Sequence, residues 1–411
     1  MSSEAPAVDL NLVSPQNLLN PVPLYHELRK NDPVHWSPAV NAWFLTRYDD
    51  VSAAFRDSRL SAERSKFFEY QIQGLGPQVI EEFMRTIRLQ MFMREGPDHV
   101  RLRRQTGTGF TPQKLDEMRP SVQRIMKELL ERVYPLGHMD LVKDIAYQMP
   151  TLAIAELLGI PPEDRDRFRG WSDALAAFSA PGVGADMTQL ARDVNQAITE
   201  MKQYLDRVVE QRRQAPGRDA LSLMLQAQDA GRMSADELVA NAILILFAGH
   251  TTTTDQLSNG VYDLLTHPEQ LQKLREDPSL LGSAVEEMLR FTPAVPFVFR
   301  VAATSFELRG KTIRQGDMVF LSMSAANRDP SVFPEPDRFD ITRDSYRQKH
   351  ITFGFGPHHC MGGDLARREL EIGVSTLFER MPNLRLDETR PPQPKIHGLT
   401  FRGFHSLPVT W

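Results

Sequence analysis

The sequence predicts a mainly α fold with minor β, built as one domain over residues 1–411, and three observations carry that expectation. Helical periodicity dominates the chain. One helix pattern, Ser234 to His267, covers 34 positions and would span roughly 50 Å at 1.5 Å per residue, enough to cross a whole domain. The β signals are confined to short, turn-bounded blocks.

From the N-terminus, MSSEAPAVDLNLVSPQ has no apolar run of signal-peptide or membrane-span length, which predicts a cytoplasmic, unanchored protein. PVHWSPAVNAWFLTRY (Pro33 to Tyr48) holds two apolar or aromatic runs about a Pro/Asn turn and predicts a hairpin. LDEMRPSVQRIMKELLERVY (Leu115 to Tyr134) and ITEMKQYLDRVVEQRRQ (Ile198 to Gln214) are amphipathic at helical spacing. The long helix opens on a capping-box pattern, Ser234 with Glu237, and Pro268 stops it. Its middle, AILILFAG, is apolar on every side and predicts burial all round. FVFRVAATSFELRGKTIRQGDMVFLS (Phe297 to Ser322) reads as strands with RGK and RQGD turns. DLARRELEIGVSTLFERM reads as a helix, and GLTFRGFHSLPVTW as a last hairpin. No linker, low-complexity tract or repeat divides the chain.

Composition narrows the function. With 48 basic and 53 acidic side chains the net charge is −5, which argues against a nucleic-acid binder. The single cysteine, Cys360, excludes an internal disulfide and any multi-cysteine zinc or iron–sulfur site within the chain.

A lone cysteine is ordinarily a small buried hydrophobe. Cys360, however, lies in ITFGFGPHHCMGG, where Gly354, Gly356, Gly362, Gly363 and Pro357 let the backbone turn tightly and approach a partner closely. A helix pattern begins directly after it, so the positive dipole end and free N–H groups are expected to stabilise a thiolate. A thiolate so held suits a nucleophile, with His358 or His359 as base, or a metal ligand.

Phe353-Gly354-x-Gly356-x-His358-x-Cys360-x-Gly362 resembles the haem-binding signature of the cytochrome P-450 family of haem-thiolate monooxygenases at every fixed position. The resemblance implies that family's fold: a helical prism with small antiparallel sheets, and haem between the long central helix and the cysteine loop. Cys360 would be the iron ligand of heme b (iron protoporphyrin IX). Glu287-x-x-Arg290 and the later PDRFD resemble a buried charge cluster, with Arg338 as its third member. His99 and Arg103, four apart on one helix face, with Arg300 and His358, resemble the partners of the haem propionates. The motif matches run from residue 99 past 360, and the resemblance implies a likeness over the whole chain.

FAGHTTTTDQ (Phe247 to Gln256) then resembles the family's oxygen-activating stretch. Ala248 would face the haem, Gly249 would let the helix open locally, and Thr252 matches the family's alcohol. Thr251 stands where the family keeps an acid, so Asp255, one turn on, is expected to stand in through water, or the substrate to supply a relaying group. Thr253 and Thr254 read as packing or back-bonded hydroxyls. Leu244, Ala248, Val295, Phe297, Thr400 and Phe401 are expected by position to line the substrate pocket. Ser65–Met93 and Phe168–Met187 resemble the two lids.

The resemblance further implies a monomeric enzyme of bacterial secondary metabolism that uses O2 to hydroxylate or epoxidise a sizeable, mostly apolar small molecule. With no flavin, ferredoxin or dinucleotide-binding module in the sequence, electrons would come from a separate ferredoxin and ferredoxin reductase. An acidic partner would dock near Arg103, Arg104, Arg367 and Arg368. A peroxide-driven variant, a haem-thiolate sensor without catalysis, and a cysteine-nucleophile hydrolase remain as alternatives.

Overall fold

A single helix, Ala235–Thr266, sets the frame of the molecule. The computed structural model describes residues 8–411 apart from positions 66–67, 70–71, 73, 162–163, 180, 182–183, 345–348 and 397–398. Ser234 caps this central helix as expected: the Glu237 N–H donates to Ser234 Oγ at 3.1 Å, and the Ser234 N–H donates to Glu237 Oε2 at 2.9 Å. Pro268 both ends it and opens the next helix, Pro268–Glu276. Ser234→Ala is expected to lower stability by about 1 kcal/mol, read as a lower denaturation midpoint with an unchanged slope. An unchanged midpoint would mean that packing alone holds this end.

The apolar residues of the central helix divide between two cores. Leu238, Ala242, Ile243 and Leu246 are buried in one, with residues of the Arg165–Ser179 and Met187–Gln214 helices. Leu257, Val261 and Leu264 are buried in the other, with residues of the Pro112–Val133, Leu281–Phe291 and Gly363–Arg380 helices. The two cores part between Leu246 and Leu257, the stretch that carries the four threonines. The Ile198–Gln214 pattern proves to be the latter part of the longer Met187–Gln214 helix, which Asp186 caps.

The strands are short. The Pro33–Tyr48 hairpin forms as β1 (Val34–Ser37) and β2 (Ala42–Leu45). β3 is Leu60–Ser61 and β4 is His138–Asp140. The Phe297–Ser322 block supplies β5 (Phe297–Ala302), β6 (Phe306–Leu308), β7 (Lys311–Ile313) and β8 (Met318–Ser322). β9 (Arg385–Leu386), β10 (Gln393–Pro394), β11 (Phe404–Ser406) and β12 (Pro408–Thr410) follow. The main sheet has the order β1-β2-β8-β5-β3.

Two details depart from expectation. β2 and β8 pair in parallel, Trp43 opposite Val319, which their wide separation in the chain permits. The last segment is not a hairpin: β11 pairs with β10, whereas β12 lies between β4 and β9. Only Leu407 separates β11 from β12, too short a connection for one to fold back on the other.

Candidate active site

The cysteine loop is held by its own backbone. The Gly354 N–H donates to Ile351 O and the Cys360 N–H to Phe353 O, both at 2.9 Å. Gly354 and Gly356 take φ of +69° and +73°, which glycine alone adopts freely. A Cβ on Gly356 would also lie 3.0 Å from the Phe55 carbonyl oxygen. Phe353 packs under the loop, with the Arg367 guanidinium 4.6 Å from its ring centre. Gly362 precedes the Gly363–Arg380 helix, and a Cβ there would meet nothing within 4 Å.

Cys360 is exposed. Enough protein surrounds it, however, that desolvation pushes the thiol up, against the Gly362 N–H, Arg103 and Arg367. The expected stabilisation of a thiolate by the helix terminus is therefore present but outweighed. A cation at the sulfur would reverse that balance.

Basic side chains gather beside the loop. The rings of His99 and His358 lie 4.1 Å apart. Arg103 Nη2 donates to the His359 carbonyl at 2.6 Å, and Arg300 Nη1 to Phe299 O at 3.0 Å. Arg64, which the sequence reading passed over, joins them: it is buried, stacks on Phe92 and Phe299, and lies within electrostatic reach of Arg300. Burial, with the mutual repulsion of the two guanidiniums, pulls Arg64 down to about 9, and burial pulls Arg300 to about 10. His358 falls to about 3 through burial and then its neighbours His99, Arg300, Arg64 and Arg103. His99 Nε2 and Arg64 Nε are buried without a hydrogen-bond partner among the described residues. Such a cluster costs free energy unless anions meet it.

The threonine stretch passes through an unbroken helix. Thr252 Oγ1 donates to Ala248 O at 2.9 Å, Thr253 Oγ1 to Gly249 O at 3.2 Å and Thr254 Oγ1 to His250 O at 2.8 Å. Ala248 is exposed at the middle of this otherwise largely buried element. Gly249 does not open the helix. A Cβ there would lie 2.7 Å from Ile154 Cδ1 of the Gln148–Leu157 helix, so glycine serves close packing.

Thr251 Oγ1 lies 3.3 Å from His250 Nε2, whose Nδ1 is 3.0 Å from Leu246 O. Burial holds His250 down at about 4, so the ring is neutral, donates through Nδ1 and accepts the Thr251 hydroxyl at Nε2. Asp255 is turned elsewhere: it is fully buried and accepts from Lys395 Nζ at 2.7 Å. Burial raises its carboxyl to about 6, against the pull of Lys395. Glu369, also missed in the sequence, is buried near Thr253, and burial drives it well above the carboxylate range.

The remaining expected residues separate into those near the site and those that are not. Leu244 and Val295 are half-buried, and Phe401 meets Phe247 edge-on at 6.3 Å. Thr400 Oγ1 donates to Ser179 O at 3.1 Å. Phe297 does not face the pocket: it packs on Phe44 and Phe320, on the opposite face of β5 from Arg300, as strand alternation requires. The described parts of the two lid segments meet through Phe68, Phe83 and Phe178. The remainder of those segments, positions 66–67, 70–71, 73, 180 and 182–183, lies outside the described residues.

Arg338 also needs correction. Its side chain is half-exposed and pairs with Glu335 at 3.3 Å, away from the buried pair. The second arginine on Glu287 is Arg343, with Nε 3.3 Å from Oε2, while Arg290 only receives the Arg338 backbone carbonyl as an acceptor. Of the four surface arginines, Arg367 is paired with Glu286 and Arg368 with Asp116, Arg103 is turned to the loop, and Arg104 stays exposed.

An accessible thiol, an exposed alanine in the central helix and a buried cation cluster fit one kind of group: flat, apolar on its faces and twice anionic at an edge. Residues 76–403 match the family model described as Cytochrome P450. The chain is 40% identical to the vitamin D(3) 25-hydroxylase of Pseudonocardia autotrophica, over 95% of this chain and 94% of that protein. It is 37% identical to the 6-deoxyerythronolide B hydroxylase of Saccharopolyspora erythraea, with 94% of each covered. Among solved structures, CalO2 superposes with a TM-score of 0.90 at 34% identity and 99% coverage of both chains. Epothilone D-bound cytochrome P450epoK superposes at 0.88 and 34%, covering 98% of this chain and 99% of that one. The chain belongs to the cytochrome P450 family. It is a P450 monooxygenase, and the family implies a haem-iron cofactor. No helix among the described residues is long and apolar enough to cross a membrane.

Proposed function

We propose that this enzyme binds heme b through Cys360 and hydroxylates or epoxidises a sizeable, mostly apolar small molecule in bacterial secondary metabolism, with electrons from a separate ferredoxin and its reductase. The observation that carries the reading is the exposed Cys360 beside a basic cluster of Arg64, His99, Arg103, Arg300 and His358 that outnumbers the acids acting on it, Glu63 and Glu95. His99, Arg103, Arg300 and His358 would receive the propionates, and Arg64 adds a fifth donor. When bound, the haem iron supplies the activation of O2.

Thr252 has its hydroxyl proton on Ala248 O, so its free lone pairs can accept from a water and hold it beside the exposed Ala248. Thr251, whose proton goes to His250, can likewise accept but keeps none in reserve at neutral pH. The relatives' names support a small-molecule substrate of this kind: one is a vitamin D(3) 25-hydroxylase, one a 6-deoxyerythronolide B hydroxylase, and one solved neighbour holds epothilone D.

Spectral titration of the haem-loaded enzyme tests this. A steroid such as testosterone, the ligand of one solved neighbour, is expected to shift the Soret band with saturation, and ferredoxin and reductase to give oxygenated product. Saturation by small charged compounds alone would overturn the substrate class. Because Thr251 offers no ionised acid, peroxide is the second source to compare, and equal yields without a reductase would favour it.

A further inference from the structure

The carboxylate expected to replace the missing acid is committed to another task. Between β10 and β11 the described residues are Lys395, Ile396 and Leu399 to Gly403, called here the loop, and the Lys395 N–H donates to Gly403 O at 2.9 Å at its base. The loop carries Thr400 and Phe401. It is tied to the central helix at two points four residues apart, hence on one helix face. At the first, Lys395 Nζ donates to Asp255 Oδ1 at 2.7 Å. At the second, Asn259 Nδ2 donates to Arg402 O at 2.9 Å. Arg402 N–H is also held, by Ala294 O at 2.8 Å.

Gly403 shows how closely loop and helix approach. A Cβ there would fall 2.5 Å from Asp255 Cγ and 2.8 Å from Asp255 Cβ. The base of the loop therefore rests on the Asp255 side chain itself. At its far side Thr400 donates to the carbonyl of Ser179, the end of the lid helix Arg165–Ser179, and Phe401 abuts Phe247. The loop is thus strung between the oxygen-side helix and the lid.

The energetics point away from mere stability. Asp255 is fully buried and its Oδ2 has no hydrogen-bond partner among the described residues, so the single bond from Lys395 compensates the carboxylate poorly. Apolar residues of similar volume would hold the two elements as well or better. What an ion pair adds is direction: it admits one register of the loop on the helix.

We propose that Asp255 and Lys395 are positioning residues that seat Leu399 to Gly403 on the central helix, and thereby place Thr400 and Phe401 to set the size of substrate accepted. This rests on the monooxygenase reading above. The pair acts through the loop and not as a proton relay.

The test uses two iron-ligating azoles of different bulk on the haem-loaded enzyme: imidazole, too small to reach the loop, and clotrimazole, large enough to press on it. Soret shifts report the affinity of each. Lys395→Met and Asp255→Asn are each expected to change the clotrimazole Kd by about tenfold, roughly 1.4 kcal/mol, with imidazole altered by less than about twofold. Lys395→Arg is expected to restore most of the difference. Asp255→Asn serves if Lys395→Met does not fold, since the lysine, 27% exposed, can still turn to water. Equal changes for both azoles, or none for either, overturn the proposal. So does a loss of coupling between electrons and product in Asp255→Asn with both affinities intact, which would return Asp255 to proton relay. A parent enzyme lacking the red-shifted Soret band with CO would instead sink the monooxygenase reading.

Discussion

Glu287→Gln is expected to destabilise the protein by about 3–5 kcal/mol, because it leaves buried charge without its counter-charge. Glu287 is 2% exposed and accepts from Arg290 Nε at 2.7 Å, Arg290 Nη2 at 2.8 Å and the Asp340 N–H at 2.8 Å. Arg343 approaches it at 3.3 Å. The amide keeps the shape but removes the charge that two guanidiniums share. Arg290 spends its other N–H groups on the carbonyls of Asn327, Pro336 and Arg338, so it cannot turn to water without releasing the whole segment before the cysteine loop. Against a total stability of about 5–15 kcal/mol, such a loss removes a large fraction of the folded population. Denaturant unfolding followed by circular dichroism reads it as a fall in midpoint. The same measurement separates the two arginines: Arg343→Ala is expected to cost clearly more than Arg338→Ala, which should stay within about 0.5 kcal/mol as a surface substitution. The reverse order would restore Arg338 to the cluster.

That correction shows what a single sequence carries. The capping box of the central helix, the hairpin of β1 and β2, the glycine turns before Cys360 and the Glu287–Arg290 pair are all local. Their partners lie within a few residues, so spacing alone specifies them. Arg338 and Arg343 stand five apart in one irregular segment, where no helical or strand period says which side chain turns inward. Arg64 meets His358 and Arg300 across more than two hundred residues. Asp255 meets Lys395 across 140. His250 and Glu369 are polar residues in buried helices, and which neighbours they meet depends on helix packing that no periodicity reports. Phe297 was misread for a simpler reason: once β5 is a strand, Phe297 and Arg300 must fall on opposite faces.

The threonine stretch follows the same logic. The hydroxyls of Thr252, Thr253 and Thr254 are back-bonded to the preceding turn, and this lets a polar run sit in a helix where the two cores part. The imidazole of His250 accepts the proton of Thr251, so the position where the family's acid is expected holds an oriented alcohol. Asp255 looks like a substitute in sequence because it is one turn away, but its carboxylate is buried on the side of Lys395 and Gly403.

Cys360→Ser is expected to abolish oxygenation while leaving the fold intact. The loop is set by contacts that do not involve the sulfur: the Cys360 N–H on Phe353 O, the positive φ of Gly354 and Gly356, and the ring of Phe353 under Arg367. The substitution exchanges one accessible small side chain for another, and the stability of the haem-free protein should change by less than about 0.5 kcal/mol. The chemistry should not survive. A serine hydroxyl is a much weaker acid than a thiol, so it does not furnish the anionic sulfur that the proposed ligand provides. Product formation with ferredoxin and reductase is expected to fall by a factor on the order of 10³ or more, a loss of about 4 kcal/mol of transition-state stabilisation. The reduced, CO-bound protein should at the same time lose the red-shifted Soret band of a thiolate-ligated haem. Retention of that band by Cys360→Ser, in a chain with no other cysteine, would show that the iron is held elsewhere and would remove Cys360 from the site.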